Sequence, residues 1–376
     1  MKIAKFQVKR EKRFRLDFLL LFCVLLLVAF GILMVYSASY YQAELTYGDK
    51  FFFMKKQLSG ALVGLVGMIS MYFINYEWLK KIKWYALVIS AVLLILVFIP
   101  GLGVKVYGAT RWINLGFFTI QPSEFAKFGF VLFAACSLSQ AQKRVKSFRG
   151  ILPTILSGSL MCLLIIAEPN MSITICVGIT MIAMLFVGGA RFKHFCLIAI
   201  PIIIAVPLLI ILEPYRLKRL VAFVDPFATA TGEGFQLVQS LYGISSGGLF
   251  GVGLFNSRQK YLFLPFSESD FIFSVIAEEF GLIGCILVIL VFLIVIVRGI
   301  KIAINAPTRF GAYLATGITS VIATQMLVNI AVVTGSIPPT GLPLPFISAG
   351  STSLLVFMSA IGVVLNIDKQ SRKSKI

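Results

Sequence analysis

Residues 18–38 read FLLLFCVLLLVAFGILMVYSA and contain no charged side chain. With a rise of about 1.5 Å per residue, a helix of this length crosses the ~30 Å hydrocarbon core of a bilayer. The run is too long for the apolar region of a signal peptide and lacks a small-residue cleavage site. We therefore interpret it as a retained membrane helix.

Further apolar runs of similar length continue along the chain. Together with the first run they predict ten transmembrane helices, near 18–38, 57–75, 84–101, 123–140, 151–168, 171–189, 195–213, 276–298, 310–334 and 347–367. The composition agrees, since 59% of the residues are hydrophobic and 13% are charged, against about 25% charged in globular proteins. The sequence predicts an all-α integral membrane protein.

Charge and loop length divide the chain into three parts. We expect a basic tail at 1–15, a ten-helix membrane domain at 16–367 and a second basic tail at 368–376. A long loop at 214–275 separates helices 7 and 8. Within it, residues 233–253 mix apolar residues with glycines. This pattern suits either a segment lying on the membrane surface whose backbone approaches a ligand closely, or a tight re-entrant turn packed on neighbouring helices.

Lys and Arg residues predict the orientation. Most of the basic residues fall in the two tails and in alternate short loops, which places both termini in the cytoplasm by the positive-inside rule. The net charge of +19 is spread over these loops instead of being gathered on one face, so we predict membrane lipids and no nucleic acid among the partners.

A cluster of acids follows the long loop. The stretch Leu264-Pro-Phe-Ser-Glu268-Ser-Asp270-Phe leads into an apolar run that contains Glu278 and Glu279. Acids at a membrane boundary are costly and indicate function, although an Asp at a helix start also stabilises the helix dipole. The only histidine, His194, falls in a predicted cytoplasmic turn. Asp270 is therefore the candidate base, and Glu278, eight residues later, is a candidate to support it.

Cations and one intramembrane pair complete the candidate site. Glu124 and Lys127 share a helix face and can neutralise each other. We predict that they line the substrate cavity, and a structural pair that only holds helices together is the alternative. Several outer-loop cations can bind phosphate or contact lipid headgroups: Arg111, Arg216, Arg219, Arg258 and Lys260.

Six blocks of sequence resemble the SEDS family of bacterial shape, elongation, division and sporulation proteins (FtsW, RodA and SpoVE), with most likeness to the FtsW and SpoVE branch. The blocks are Gly108–Ile113 with Gln121–Lys127, Glu168–Asn170, Tyr215–Arg219 with Asp225-Pro226, Gly234–Gly253, Leu264–Glu279, and Pro339–Pro343 with Pro345–Ser351. The chain departs from the family at Asn170 and Ser172, where an Asp and a Gly are usual.

The resemblance implies a peptidoglycan glycosyltransferase that polymerises lipid II at the outer face of the plasma membrane, beside a class B penicillin-binding protein. It implies an essential role for Asp270, and the blocks add Gln236 and Ser348 to the substrate-binding candidates. A divalent Mg²⁺ or Mn²⁺ ion suits the pyrophosphate, but no dedicated metal site is identified. A lipid II flippase and a non-catalytic scaffold for the penicillin-binding protein are the alternative functions.

Overall fold

A computed structural model describes residues 17–106, 109–114, 116, 119–211 and 214–374. The described chain is mainly helical. Its α-helices are α1 Phe18–Tyr47, α2 Phe52–Phe73, α3 Lys83–Leu96, α4 Pro122–Ala141, α5 Phe148–Ala167, α6 Met171–Gly188, α7 Phe192–Ile211, α8 Pro214–Val224, α9 Phe235–Gly247, α10 Ile272–Ile304, α11 Arg309–Val333 and α12 Ser351–Ser374. Short 3₁₀ helices lie at Tyr76–Ile82 and Gln142–Lys146.

The helices follow the predicted apolar runs. Within the described ranges, α1, α2, α5, α6, α10, α11 and α12 are long and apolar enough to cross a membrane. The other three predicted spans correspond to α3, α4 and α7. The prediction of a multi-helix membrane protein is confirmed, while the total of ten spans stays a prediction.

Three regions contain secondary structure that the sequence did not predict. An antiparallel sheet of β1 Gly103–Val106, β2 Ala109–Asn114 and β3 Thr119–Ile120 lies between α3 and α4, where an all-α fold was expected. The long loop at 214–275 contains α8 and α9, and α12 continues to Ser374 through most of the predicted tail. The N-terminal tail at 1–15 lies outside the described residues.

Small residues bring α2 and α12 into close contact. A β-carbon added to Gly60 would lie 2.8 Å from Ser351 Cα, and one added to Gly64 would lie 2.7 Å from Met358 Sδ. Membrane helices associate through such small residues because lipid provides no hydrophobic driving force between them. The contact fixes the start of α12, and with it the loop at 334–350 that precedes it.

Helix α10 is broken near its start. Gly281 has φ 64° and ψ −164°, a conformation that only glycine adopts readily. The segment at 247–253, which we call the glycine segment, supplies backbone partners to both sides of the break. Leu282 N donates to Gly248 O at 2.9 Å, and Gly253 N donates to Glu279 O at 3.0 Å. The glycine segment is thus packed against α10, which favours the second of the two interpretations of this sequence.

Contacts between distant segments define the two ends of the bundle. At the Asp17 end, Arg298 binds Asp17, and Tyr76 N donates to Asn366 Oδ1 at 3.1 Å. At the Asp270 end, Ala349 N donates to Glu268 O at 2.9 Å, which joins the loop at 334–350 to the segment at 254–271. The sheet contacts Glu168 through Arg111 Nε at 3.4 Å and the start of α12 through Thr352 Oγ1, which donates to Thr119 O at 3.2 Å. Most of the predicted site residues lie at the Asp270 end.

Candidate functional site

Asp270 lies in a tight turn just before α10. The N–H groups of Ser269 and Phe271 both donate to Phe266 O, at 3.1 and 3.3 Å, and Phe266 itself has φ 59°. A left-handed conformation in a non-glycine residue costs about 1–3 kcal/mol and persists only where the surroundings impose it. The turn therefore presents Asp270 in a fixed conformation.

The carboxylate of Asp270 is half-buried, and no hydrogen bond or ion pair reaches it from the described residues. Its main-chain oxygen, in contrast, accepts a hydrogen bond from Asn329 Nδ2 at 2.8 Å. Gly341 lies against the carboxylate, since a β-carbon there would be 2.8 Å from Asp270 Oδ2. The residue is held by its backbone while its carboxylate is left for another partner.

Burial and neighbouring charges set the protonation of Asp270. Burial raises the pKa of its carboxyl to about 6; the positive charges of Arg111 and Arg219 lower it, and Glu268 raises it. A carboxyl with this pKa is ionised at neutral pH but is a stronger base than an ordinary aspartate. Perturbed acids of this kind concentrate at functional sites.

Backbone carbonyls orient the two arginines. Arg111 Nε donates to Glu168 O at 3.4 Å, and its Nη2 donates to Pro169 O. Arg219 Nη1 donates to Pro339 O at 3.1 Å. These contacts fix the direction of the two guanidinium groups. Two predicted phosphate ligands are thus brought into the electrostatic surroundings of Asp270.

Glu168 is a second unusual acid at this end. It is 0% exposed, and neither of its carboxylate oxygens has a hydrogen-bond partner among the described residues. Burial raises its pKa to about 8, while Arg111 lowers it, so the carboxyl is mostly protonated at neutral pH. The sequence indicated Glu168 only as part of a family block and not as a titrating group.

Ser348 ties the loop before α12 to the Asp270 turn. Its Oγ donates to Ser269 O at 2.7 Å and accepts from Leu344 N at 2.7 Å. The neighbouring Ala349 N donates to Glu268 O at 2.9 Å. Ser348 is buried and bonded to main-chain groups, so its position supports the turn more directly than it supports contact with substrate.

Glu124 and Lys127 form the predicted pair. Lys127 Nζ lies 2.9 Å from Glu124 Oε1, and both side chains are 0% exposed. Lys127 also donates to Gln325 Oε1 at 2.6 Å and lies over the Phe357 ring, 4.9 Å from its centroid. The ammonium therefore joins α4, α11 and α12. This burial favours the packing role over the predicted cavity-lining role.

Glu278 and Glu279 hold the segment after the glycine segment. Glu278 accepts from the N–H groups of Arg258 and Gln259 at 2.9 and 3.3 Å. Glu279 pairs with Lys260 at 3.1 Å, and both of those side chains are 0% exposed. Glu278 thus supports a neighbouring loop, and among the described residues it has no hydrogen bond to the Asp270 carboxylate. Lys260, predicted as a phosphate ligand, is already paired with an acid.

The remaining predicted ligands are dispersed. Arg258 is exposed, Gln236 is half-buried on α9, and Arg216 lies within α8 with its side chain outside the described part. Over the described ranges, no group of three or more His, Cys, Asp or Glu side chains could hold a metal ion. A divalent Mg²⁺ or Mn²⁺ ion at the pyrophosphate stays a prediction.

Three residues that contact the Asp270 region were not predicted from the sequence. They are Gln325 and Asn329 on α11, and Gly341 in the loop that follows. The amides offered a signal, because polar residues four apart in an apolar membrane helix are costly unless they have partners. Their partners could not be identified from sequence, since the contacts join segments far apart in the chain.

Comparison with known proteins gives a consistent result. The family model described as cell cycle protein, FTSW_RODA_SPOVE, matches residues 17–373. Stage V sporulation protein E of Bacillus subtilis (strain 168) is 43% identical over 95% of this chain and 98% of its own length. A probable peptidoglycan glycosyltransferase FtsW of Trichlorobacter lovleyi is 41% identical, with 95% of each chain covered.

Solved structures share the fold. A chain from a structure on the coordination of polymerization and crosslinking by a peptidoglycan synthase complex superposes with a TM-score of 0.79 at 25% identity, covering 95% of this chain and 98% of that one. The rod shape determining protein RodA of Thermus thermophilus gives 0.69 at 24% identity, covering 94% and 97%. The resemblance inferred from the six blocks is confirmed, and the chain belongs to the FtsW, RodA and SpoVE family of cell cycle proteins.

Proposed function

We propose that Asp270 is the general base of a peptidoglycan glycosyltransferase reaction in which this chain polymerises lipid II at the outer face of the plasma membrane. The enzyme class follows relatives named probable peptidoglycan glycosyltransferase FtsW, which are 37–41% identical over nearly the full chain. The observation that supports the residue assignment is the Asp270 carboxylate itself, which is half-buried, unpaired within the described residues and flanked by the charges of two arginines.

The reaction needs one base and one stabilised leaving group. Joining an α-linked lipid pyrophosphate donor to an acceptor hydroxyl in a β linkage inverts the anomeric carbon, so a single in-line displacement suffices. Asp270 takes the proton of the acceptor hydroxyl as the new C–O bond forms and the bond to pyrophosphate breaks. A positioned base contributes roughly 10²–10⁴ in rate, and its pKa of about 6 keeps it ionised at neutral pH.

Arg111 and Arg219 are assigned to the leaving pyrophosphate. Guanidinium groups bind phosphate through two parallel N–H bonds, and both of these groups are already oriented by carbonyls. Pre-orientation lowers the entropy lost when the substrate binds. Arg258, which is exposed, and Arg216 stay further candidates for phosphate binding.

The proposal requires the Asp270 end to face outward. Ten spans would place both termini in the cytoplasm together with the Asp17 end, in agreement with the distribution of Lys and Arg. A cysteine label placed at 227–233 should then react in intact cells, and one at 143–149 should react only after lysis. The reverse pattern would place Asp270 in the cytoplasm and contradict the assignment of lipid II polymerisation.

A class B penicillin-binding protein is the proposed partner. The structurally similar chain comes from work on a complex that couples polymerization to crosslinking, which supports a comparable assembly here. A polymerase that releases uncrosslinked strands would need a transpeptidase beside it.

Polymerisation of labelled lipid II by the purified chain with its partner tests the function. We expect long glycan strands from the full system and none without this chain. Translocation of lipid II across vesicle membranes without polymer would identify a flippase. Polymer made equally well by the partner alone would identify a scaffold.

A further inference from the structure

Helix α11 presents two buried amides to the Asp270 end. Gln325 and Asn329 are four residues apart, so they lie on one face of the helix, and they are 0% and 1% exposed. A buried amide without hydrogen bonds is costly, which makes the partners of these two side chains informative. Both amides donate to the backbone of the loop at 334–350.

Asn329 joins the two segments that meet at the proposed base. Its Nδ2 donates to Asp270 O at 2.8 Å and to Leu342 O at 2.7 Å. Its Oδ1 has no partner among the described residues, so the two donated bonds alone orient the amide. One side chain thus sets the distance between the Asp270 turn and residue 342.

Gly341, the residue before Leu342, lies directly beside the Asp270 carboxylate. An added β-carbon at Gly341 would meet Asp270 Oδ2 at 2.8 Å and no other atom closer than 3.7 Å. On the far side of Leu342, Gln325 Nε2 donates to Pro343 O at 2.8 Å, and Lys127 anchors Gln325 in turn. The backbone that follows Gly341 is therefore bound to α11 through both amides.

We propose that Asn329 is a positioning residue that holds the Asp270 turn against Gly341, so that the carboxylate points at the acceptor hydroxyl. The inference rests on the proposed role of Asp270. Asn329 touches neither substrate nor the reacting atoms in this account, and it acts through the backbone of the base. A displacement of about 1 Å in a reacting group can lower a rate about 100-fold.

Two variants displace the carboxylate by different routes. Asn329→Ala removes the bridge between the two segments. Gly341→Ala leaves the bridge intact and places a methyl group against the carboxylate. Asn366→Ala is the matched control, because Asn366 is an equally buried amide that joins Tyr72 O at 2.6 Å to Tyr76 N at the opposite end of the bundle.

The experiment measures kcat, KM, the pH dependence of kcat and thermal stability for these variants and for Asp270→Asn, in the complex with the partner. We expect Asn329→Ala and Gly341→Ala to lower kcat about 10- to 100-fold with little change in KM. In Asn329→Ala the acidic limb of the pH–kcat profile should move to lower pH, because the Asp270 carboxylate would be less buried and its pKa would fall. Arg111, Arg219 and Glu268 stay in place as the other charges that act on it. Asn366→Ala should lose stability but keep the wild-type kcat and pH dependence.

The outcomes separate the two proposals. If Asp270→Asn is inactive while both displacing variants keep the wild-type kcat and acidic limb, the positioning role is overturned and the base assignment stands. An active Asp270→Asn variant overturns both. The positioning role is also overturned if the polymerisation rate of Asn329→Ala falls only in proportion to the amount of folded protein while Gly341→Ala has a normal kcat.

Discussion

Asp17 and the unpaired acids around Asp270 lie at opposite ends of the bundle and differ in the partners of their carboxylates. At the Asp17 end, Arg298 binds Asp17 Oδ2 through Nε at 2.9 Å and Nη2 at 2.5 Å, and the other carboxylate oxygen caps α1 by accepting from Leu20 N at 3.1 Å. At the Asp270 end, Glu168 has no hydrogen-bond partner on either oxygen and Glu268 has none on Oε2 among the described residues.

For Asp17 and Asp270 the difference separates an acid that stabilises the fold from the acid proposed to take part in the chemistry. A buried acid whose two carboxylate oxygens bind a cation and a helix terminus has no free oxygen with which to contact a substrate. An acid whose main chain is fixed while its carboxylate is unpaired lowers the stability of the folded protein. Its carboxylate can, however, accept a proton from a substrate.

The largest loss of stability is expected when one member of the Glu124–Lys127 pair is removed. Lys127→Met leaves Glu124 buried without its cation, and breaking such a pair costs about 3–5 kcal/mol. Replacing both, Glu124→Gln with Lys127→Met, should recover most of the stability. Because both side chains are fully buried, we expect the double variant to recover polymerisation as well. A double-mutant cycle from thermal unfolding in detergent measures the coupling between the two residues. Additive effects of the two single substitutions on stability would contradict the predicted coupling.

A smaller loss is expected at the Asp17 end. Arg298→Ala removes charge-assisted bonds to Asp17, which are worth about 1.5–3 kcal/mol, and the partial exposure of Arg298 reduces the figure. The rate per folded molecule should be unchanged, because this end has no part in the chemistry. Thermal unfolding combined with polymerisation rates per folded protein tests this. A fall in kcat with intact stability would show that the two ends are coupled.

The pH dependence of the rate should report Asp270. Its base form is the ionised one, and burial raises its pKa to about 6, so the rate should be level above that pH and fall as pH drops through it. Well below the pKa the loss is about tenfold per pH unit. Rates measured at saturating lipid II between pH 4.5 and 8 define the acidic limb of the pH–rate profile. A limb near pH 4 would show an aspartate in an ordinary environment.

The smallest change in rate at neutral pH is expected from Glu168→Gln, because the folded protein already holds Glu168 protonated there. The pKa of about 8 in the folded protein lies above the ordinary 4.5, so unfolding releases a proton between these values. The wild type should therefore lose stability relative to the Gln variant as pH rises from about 4.5 to about 8. Paired melting curves across this range test the sign, and a constant difference would contradict the assignment.

Local sequence patterns predicted what depends on neighbours in the chain. Apolar runs located the helices because each span must satisfy its own backbone. The i,i+3 spacing predicted the Glu124–Lys127 contact because both residues lie on one helix.

Long-range pairing accounts for most of what the sequence did not predict. The break at Gly281 depends on backbone partners from the glycine segment, and a lone glycine in an apolar run is equally compatible with a continuous helix. Asn329 meets Asp270 across 59 positions of sequence, which no local period encodes. The sheet at 103–120 was missed because its strands are short and follow an apolar run.

The most direct test of the account is the rate of lipid II polymerisation by Asp270→Asn, measured beside Asp17→Asn as the matched substitution at the other end. The Asn side chain keeps the shape of Asp270 and removes its basicity. We predict a loss of at least about 100-fold in kcat for Asp270→Asn with normal folding, and a wild-type kcat per folded molecule for Asp17→Asn. Polymer formed at near-normal rate by folded Asp270→Asn would contradict the assignment of Asp270 as the base.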